Sequence, residues 1–246
     1  MPVAGPDLQP FPEDWTRALC VVAHPDDLEY GGAAAVARWT SEGRTVEYLL
    51  VTSGEAGIDS MPPAEAGPLR RDEQRASAGI VGVSVVEFLD EPDGTVTYSL
   101  DLRRRLARAI RRSRPELLVG INHHDSWGPG PGGGLNQADH RAVGLALIDA
   151  ARDAGNRWVF PELVDEGLDP WSAKRLAFAA SPHATHAVDV TGHLHAGVAS
   201  LRAHAAYLRA IGQSDADAET FLTDWAAAAG PRLGVTHAVT FELYDL

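Results

Sequence analysis

Short, uninterrupted apolar runs recur along this chain, separated by helical-period stretches, and that alternation restricts the fold more than any other property of the sequence. The runs are RALCVVAHP at 17–25, TVEYLLVTSG at 45–54 and SVVEFLD at 84–90, with a further one after Pro115. KRLAFAA, HAVDVTG and THAVTFELY follow later. A continuous apolar run bounded by turn residues suits a strand buried on both faces, as in parallel sheets. Between the runs lie GGAAAVARWTSEG, with a glycine stop at Gly43, then LRRDEQRASAGIVG and DLRRRLARAIRRS. Further on come DHRAVGLALIDAARDAG, GHLHAGVASLRAHAAYLRAIG and DAETFLTDWAAAAG. A strand–helix repeat of roughly 30 residues predicts right-handed crossovers. The expectation is an α/β fold, a mostly parallel sheet with helices on both faces in a single domain over residues 16–246.

Two segments break the rhythm. Residues 1–15, MPVAGPDLQPFPEDW, are proline-rich and acidic and read as a loose N-terminal leader. Residues 122–139, NHHDSWGPGPGGGLNQAD, have no period and many glycines and prolines. A loop of that length in a compact domain is usually functional. The helix from Asp101 to Ser113 carries a buried stripe of Leu102, Leu106 and Ile110, and arginines crowd its other positions up to Arg114. A solvated face is the ordinary reading of such a run.

Composition excludes several functions. The net charge of −13 disfavours generic nucleic-acid binding, which needs clustered Lys and Arg. The single cysteine, Cys20, lies in the first apolar run, so it reads as a buried core thiol and no intrachain disulfide can form. The N-terminus lacks the basic and apolar regions of a signal peptide, and no apolar run reaches the ~20 residues that span a bilayer. The expected partners are a small-molecule substrate, with no nucleic acid, no membrane span and a cytoplasmic location. A homo-oligomer is compatible with the sequence.

The chemistry concentrates at the end of the first run, in His24-Pro25-Asp26-Asp27-Leu28-Glu29-Tyr30-Gly31-Gly32. Open parallel sheets bind ligands outside the carboxyl ends of their strands. A dinucleotide-binding chain has a glycine-rich phosphate turn there. This chain has an imidazole and two carboxylates, which repel phosphate and attract a metal cation. Imidazole with carboxylate suits zinc, which in catalytic sites takes three protein ligands and a water. Neighbouring carboxylates point in different directions, so one can bind metal while the other faces its water. The competing reading is a capped turn, since Asp favours helix N-caps.

His24-Pro25-Asp26-Asp27, with Glu29 and Gly31-Gly32, resembles the signature of the PIG-L/LmbE-like deacetylases. That family has a Rossmann-like fold and uses zinc to remove acetyl groups from N-acetylglucosamine-type substrates. The resemblance continues in order through Thr52-Ser53-Gly54-Glu55-Ala56-Gly57, Arg70 and Glu73, and Asp93-Gly94. It ends with Asp139-His140-Arg141-Ala142-Val143-Gly144 and Asp189-Val190-Thr191. It implies one zinc ion per chain held by His24, Asp27 and His140, with Asp26 as general base. Asp139 would orient a ligand or catalytic group. Arg70 and Asp93 would contact substrate. The family's first histidine in His-x-Asp-His is Gln137 here, an amide that can donate to an oxyanion but cannot carry a proton. His123, His124, His183 and His186 lie on loops and can compensate, His124 first. Near His204 the chain also departs from the family's frequent Ser-Gln.

The resemblance thus implies a zinc-dependent hydrolase that removes an acyl group, acetyl first of all, from an N-acyl amino sugar or related small amide. The alternatives are an amidase for a larger conjugate or natural-product amide, and a non-catalytic metal-binding module of the same fold. No Gly-x-Ser-x-Gly elbow is present to support a serine hydrolase.

Overall fold

The computed structural model describes residues 7–128 and 133–246. Its centre is an eight-stranded sheet in the order β1-β7-β8-β6-β5-β2-β3-β4. β2 (Arg17–Val22), β3 (Thr45–Leu50), β4 (Val85–Phe88), β5 (Leu117–Ile121) and β6 (Arg175–Ala179) pair in parallel. These are the apolar runs of the sequence, and β5 is buried at every position. β8 (Ala238–Asp245) runs antiparallel between β6 and β7 (His186–Asp189). The sheet is therefore mixed at one edge and parallel in its core, as the alternation predicts.

Helices cover both faces. α1 (Asp27–Gly31), α2 (Ala33–Ser41) and α3 (Pro63–Ile80) follow β2 and β3. One core cluster packs Val22, Tyr48 and Leu50 against Ala35, Trp39 and Ala78. α4 (Leu100–Ser113) and α5 (Ala138–Gly155) close the opposite face, where Leu19, Val21 and Leu118 meet Leu106, Ile110 and Leu147. Ser99 caps α4 by accepting the Leu102 amide, and the Leu102–Leu106–Ile110 stripe is buried as its spacing requires. The arginines of α4 pair with acids: Arg103 with Asp153, Arg104 with Asp101, Arg105 with Glu91, Arg108 with Glu166 and Arg112 with Glu87. Its basic run is largely neutralised locally.

Several expectations are corrected. The leader is not loose over its described part: β1 (Gln9–Pro10) pairs with β7, and Phe11 and Trp15 pack edge-on against Phe241 and Trp39. Proline and acid content concealed these aromatic anchors, whose large apolar area outweighs the composition around them. Residues 1–6 lie outside the described residues. The expected helix over 31–43 is α2, and the five-residue α1 that precedes it, formed by the motif itself, was not anticipated. The expected helix over 192–212 is two, α7 (Leu194–Arg202) and α8 (Ala205–Ala210). The break buries His204 completely, 3.7 Å from Glu29. A four-residue α6 (Glu162–Asp165) was not anticipated, and α9 (Asp215–Leu233) opens on a Ser214–Asp217 capping box. No described helix is long and apolar enough to cross a membrane.

Beside β2 the sheet order reverses: β3 and β4 lie on one side, β5 and β6 on the other. That is the topological switch point of an open α/β sheet, where a crevice forms outside the strand ends. His24 follows β2 there, and the loop that leads to α5 follows β5.

Candidate functional site

The turn after β2 is held in an unusual conformation. Asp26 has φ 81°, a left-handed geometry that costs a non-glycine residue about 1–3 kcal/mol and persists where surroundings enforce it. The enforcement is visible. The Asp26 amide donates to Gln74 Oε1 at 3.0 Å, and Arg70 donates to Pro25 O, Asp26 Oδ2 and Gly54 O. Gly54 makes room for this, since a Cβ there would lie 2.1 Å from the Arg70 guanidinium. The turn brings Asp27 Oδ2 back to accept the His24 amide at 2.8 Å.

α5 begins opposite, and its first turn delivers His140. His140 Nε2 lies 3.1 Å from His24 Nδ1 and 3.0 Å from Asp27 Oδ1. All three side chains are buried. The outward nitrogens are occupied: His140 Nδ1 faces Asn136 Oδ1 at 2.8 Å, and His24 Nε2 faces Asp139 Oδ2 at 3.3 Å and Asp93 Oδ1 at 3.1 Å. Asn136 Oδ1 only accepts, so it fixes the proton on His140 Nδ1. The carboxylates do the same for His24 Nε2. Both rings then aim lone pairs at one point, together with a carboxylate. Facing acceptors on buried side chains are satisfied by a cation, and two imidazoles with a carboxylate match a transition-metal site.

The electrostatics agree. Burial works to lower the His24 imidazole, but Asp27, Asp139 and Asp93 raise it well above its usual value. Burial raises Asp27, yet His140 and His24 hold it below the usual carboxylate range. Asp26 behaves in the opposite way: burial pushes it up to about 7, against the pull of Arg70 and His204. Adjacent carboxylates are thus poised for different tasks.

Among the predicted site residues, His24, Asp26, Asp27, Asp93, Asp139 and His140 come together. Asp139 is anchored by the Gly94 and Val96 amides, so it acts on His24 rather than on open space. Asp93 also contacts His24 directly, which a turn residue need not do. Arg70 is buried, grips the Asp26 turn and lies under Tyr207, 4.0 Å from its ring centre. Gln137 is the exposed N-cap of α5 and makes no side-chain cap bond. His124 is not brought to this group: its Nε2 faces Glu242 Oε2 at 2.7 Å, and His183 packs edge-on against it. His186 lies on β7, beside Thr185.

Sequence reasoning missed Asn136 and Gln74 as supports. Asn136 is one turn before His140, a spacing that would have suggested the pair. Gln74 carried no comparable signal. Its Nε2 donates to Glu29 Oε1, which also accepts from Ser77, so a buried polar network underlies the turn.

Comparison with known proteins places this geometry. The family model described as GlcNAc-PI de-N-acetylase, PIG-L, matches residues 19–151. A diacetylchitobiose deacetylase of Thermococcus kodakarensis is 30% identical, over 80% of this chain and 71% of its own length. A 1D-myo-inositol 2-acetamido-2-deoxy-alpha-D-glucopyranoside deacetylase of Kineococcus radiotolerans is 28% identical, over 77% of this chain and 68% of its own. Among solved structures, the N,N'-diacetylchitobiose deacetylase of Pyrococcus horikoshii superposes with a TM-score of 0.82. It is 25% identical, over 94% of this chain and 85% of that one.

Proposed function

The chain belongs to the PIG-L family of de-N-acetylases, and from that premise we propose that it is a metal-dependent amide hydrolase that removes an acetyl group from an N-acetylated amino sugar. The observation that carries this reading is the pair of facing imidazoles: His24 Nδ1 and His140 Nε2, 3.1 Å apart, with Asp27 beside them and Asp26 next to Asp27.

His24, Asp27 and His140 would hold the metal, with zinc the ion proposed. When bound, such an ion lowers the pKa of water toward 7 and polarises a carbonyl. Asp26 is the general base. With its carboxyl near 7 it is partly ionised at neutral pH and can accept a proton from water as the oxygen attacks the amide carbon. Arg70 fixes the direction of that carboxylate through Oδ2, leaving the other oxygen for the proton. The C–N bond then breaks, and Asp26 returns the proton to the departing nitrogen. Water and amide become carboxylic acid and amine, which at neutral pH part as carboxylate and ammonium, and the base is regenerated.

Asp139 positions His24, and Asp93 faces the same nitrogen. Gln137 opens α5 three residues before His140, with its amide free to donate to the oxyanion. His124 takes no part in this step, since its Nε2 faces Glu242 and not the His24–Asp27–His140 group. The substrate class follows the relatives, which are named for N-acetylglucosamine-type compounds. A cytoplasmic location belongs to the same proposal.

The test is amine release from N-acetylglucosamine, its disaccharide and its inositol glycoside, with zinc and with a chelator. Chelator-sensitive release of amine and acetate is expected from at least one. If none turns over while zinc binds with all three ligands intact, the chain is a binding module of this fold.

A further inference from the structure

We propose that His123, His124 and Glu242 form a second site for a divalent transition-metal ion of the zinc type, separate from His24, Asp27 and His140. It shares no ligand with that group and does not depend on the amide-hydrolase reading.

His123 and His124 follow β5 at the switch point, and Glu242 lies on antiparallel β8, 118 residues after His124. Only the tertiary fold brings them together. One donor atom from each lies within 4.8 Å of the others. Donors bound to one tetrahedral zinc at about 2.0–2.1 Å stand roughly 3.4 Å apart, so small ring rotations complete the set. Two imidazoles and a carboxylate would leave a coordination position open, and His183 packs beside the cluster, its ring centre 4.5 Å from that of His124.

Two further observations point to a ligand. His123 is 91% buried, counting from its 9% exposure, and its Nδ1 has no hydrogen-bond partner. A buried imidazole nitrogen without a partner is uncommon, and a metal would satisfy a histidine that no protein group does. The structure also makes room for this ring: α5 has Gly144 where a Cβ would stand 2.2 Å from His123 Cβ. The carboxylate is prepared as well. Ser181 donates to Glu242 Oε2 at 2.6 Å and the Tyr244 hydroxyl donates to Oε1, the outer bonds that orient a ligating carboxylate. His124 is partly exposed, with a side-chain accessibility of 27%, so an ion has an entry path.

The alternative is a plain His124–Glu242 ion pair. Metal titration of the full chain decides between them. Chelator-stripped protein is titrated with Zn2+ against a chromophoric competitor, and with Co2+ by visible absorption. The wild type should take up a second equivalent. His24→Ala and Glu242→Gln should each take up one, and the double variant none. His124→Gln, which keeps a donor toward Glu242 but is a poor ligand, should also lose the second equivalent. An unchanged Co2+ spectrum for the first equivalent shows that each cluster variant is folded. A single equivalent in the wild type, or a second one that survives both Glu242→Gln and His124→Gln, overturns the site.

Discussion

Two groups of histidines and carboxylates stand at neighbouring strand ends of this molecule, and they differ in how their donors are held. In the His24–Asp27–His140 group every outward nitrogen has an acceptor, from Asn136, Asp139 or Asp93. In the His123–His124–Glu242 group the carboxylate is anchored by Ser181 and Tyr244, while one nitrogen of His123 has no partner. The ligand types are alike and the outer bonds are not. Outer acceptors fix the tautomer and the ring direction, so the first group is preorganised for an ion and the second must rotate to hold one. Asn136 links the two, giving Oδ1 to His140 and donating from Nδ2 to the carbonyls of Asn122 and His124.

The sharpest test of the first group separates its two adjacent aspartates. Asp26→Asn should keep the metal and lose turnover by on the order of 10²-fold or more, because an amide cannot take the proton. Asp27→Asn should instead lose the metal. Metal loss in the Asp26 variant with retention in the Asp27 variant would reverse their assignment.

Anchoring is probed next. Asn136→Ala removes the acceptor behind His140 Nδ1, and metal affinity at the first group should fall by ~10–100-fold. An unchanged affinity in a competition titration would mean that outer bonds do not distinguish the two groups.

The second group depends more on packing. Gly144→Ala forces a methyl against His123 and should destabilise the fold by about 1–3 kcal/mol, read as a melting temperature several degrees lower. Melting that matches the wild type would show that the ring stands off from α5.

The smallest effect concerns acid stability without metal. Burial, with the neighbouring His124, pushes His123 from 6.5 down to about 4. Between those values the unfolded chain binds the proton and the folded chain does not, so stability falls as pH drops from 6.5 toward 4. The full shift corresponds to roughly 3 kcal/mol, which screening by the water that reaches the partly exposed His124 beside it reduces to about 1–2. His123→Gln should flatten that slope in denaturant titrations across the window. A slope equal to the wild type would assign the proton elsewhere.

Apart from the family resemblance, which joined His140 to His24 and Asp27, what was legible in the sequence was local. The strands β2, β3 and β5 follow from their continuous apolar runs, and the buried face of α4 follows from its i, i+4 stripe. The first strand's end at His24-Pro25-Asp26-Asp27 placed chemistry where a parallel sheet binds ligands. Those are properties of adjacent residues, and adjacent residues can be read in order. The tertiary structure decided the rest. It packed Phe11 and Trp15 from a proline-rich leader into the core, and it split the helix around His204 to bury that ring near Glu29. It turned Arg70 onto Asp26 and carried His124 to Glu242. Each outcome joins residues dozens to more than a hundred positions apart. Their partners are chosen by burial and by the need to satisfy buried polar groups, and no local pattern records either.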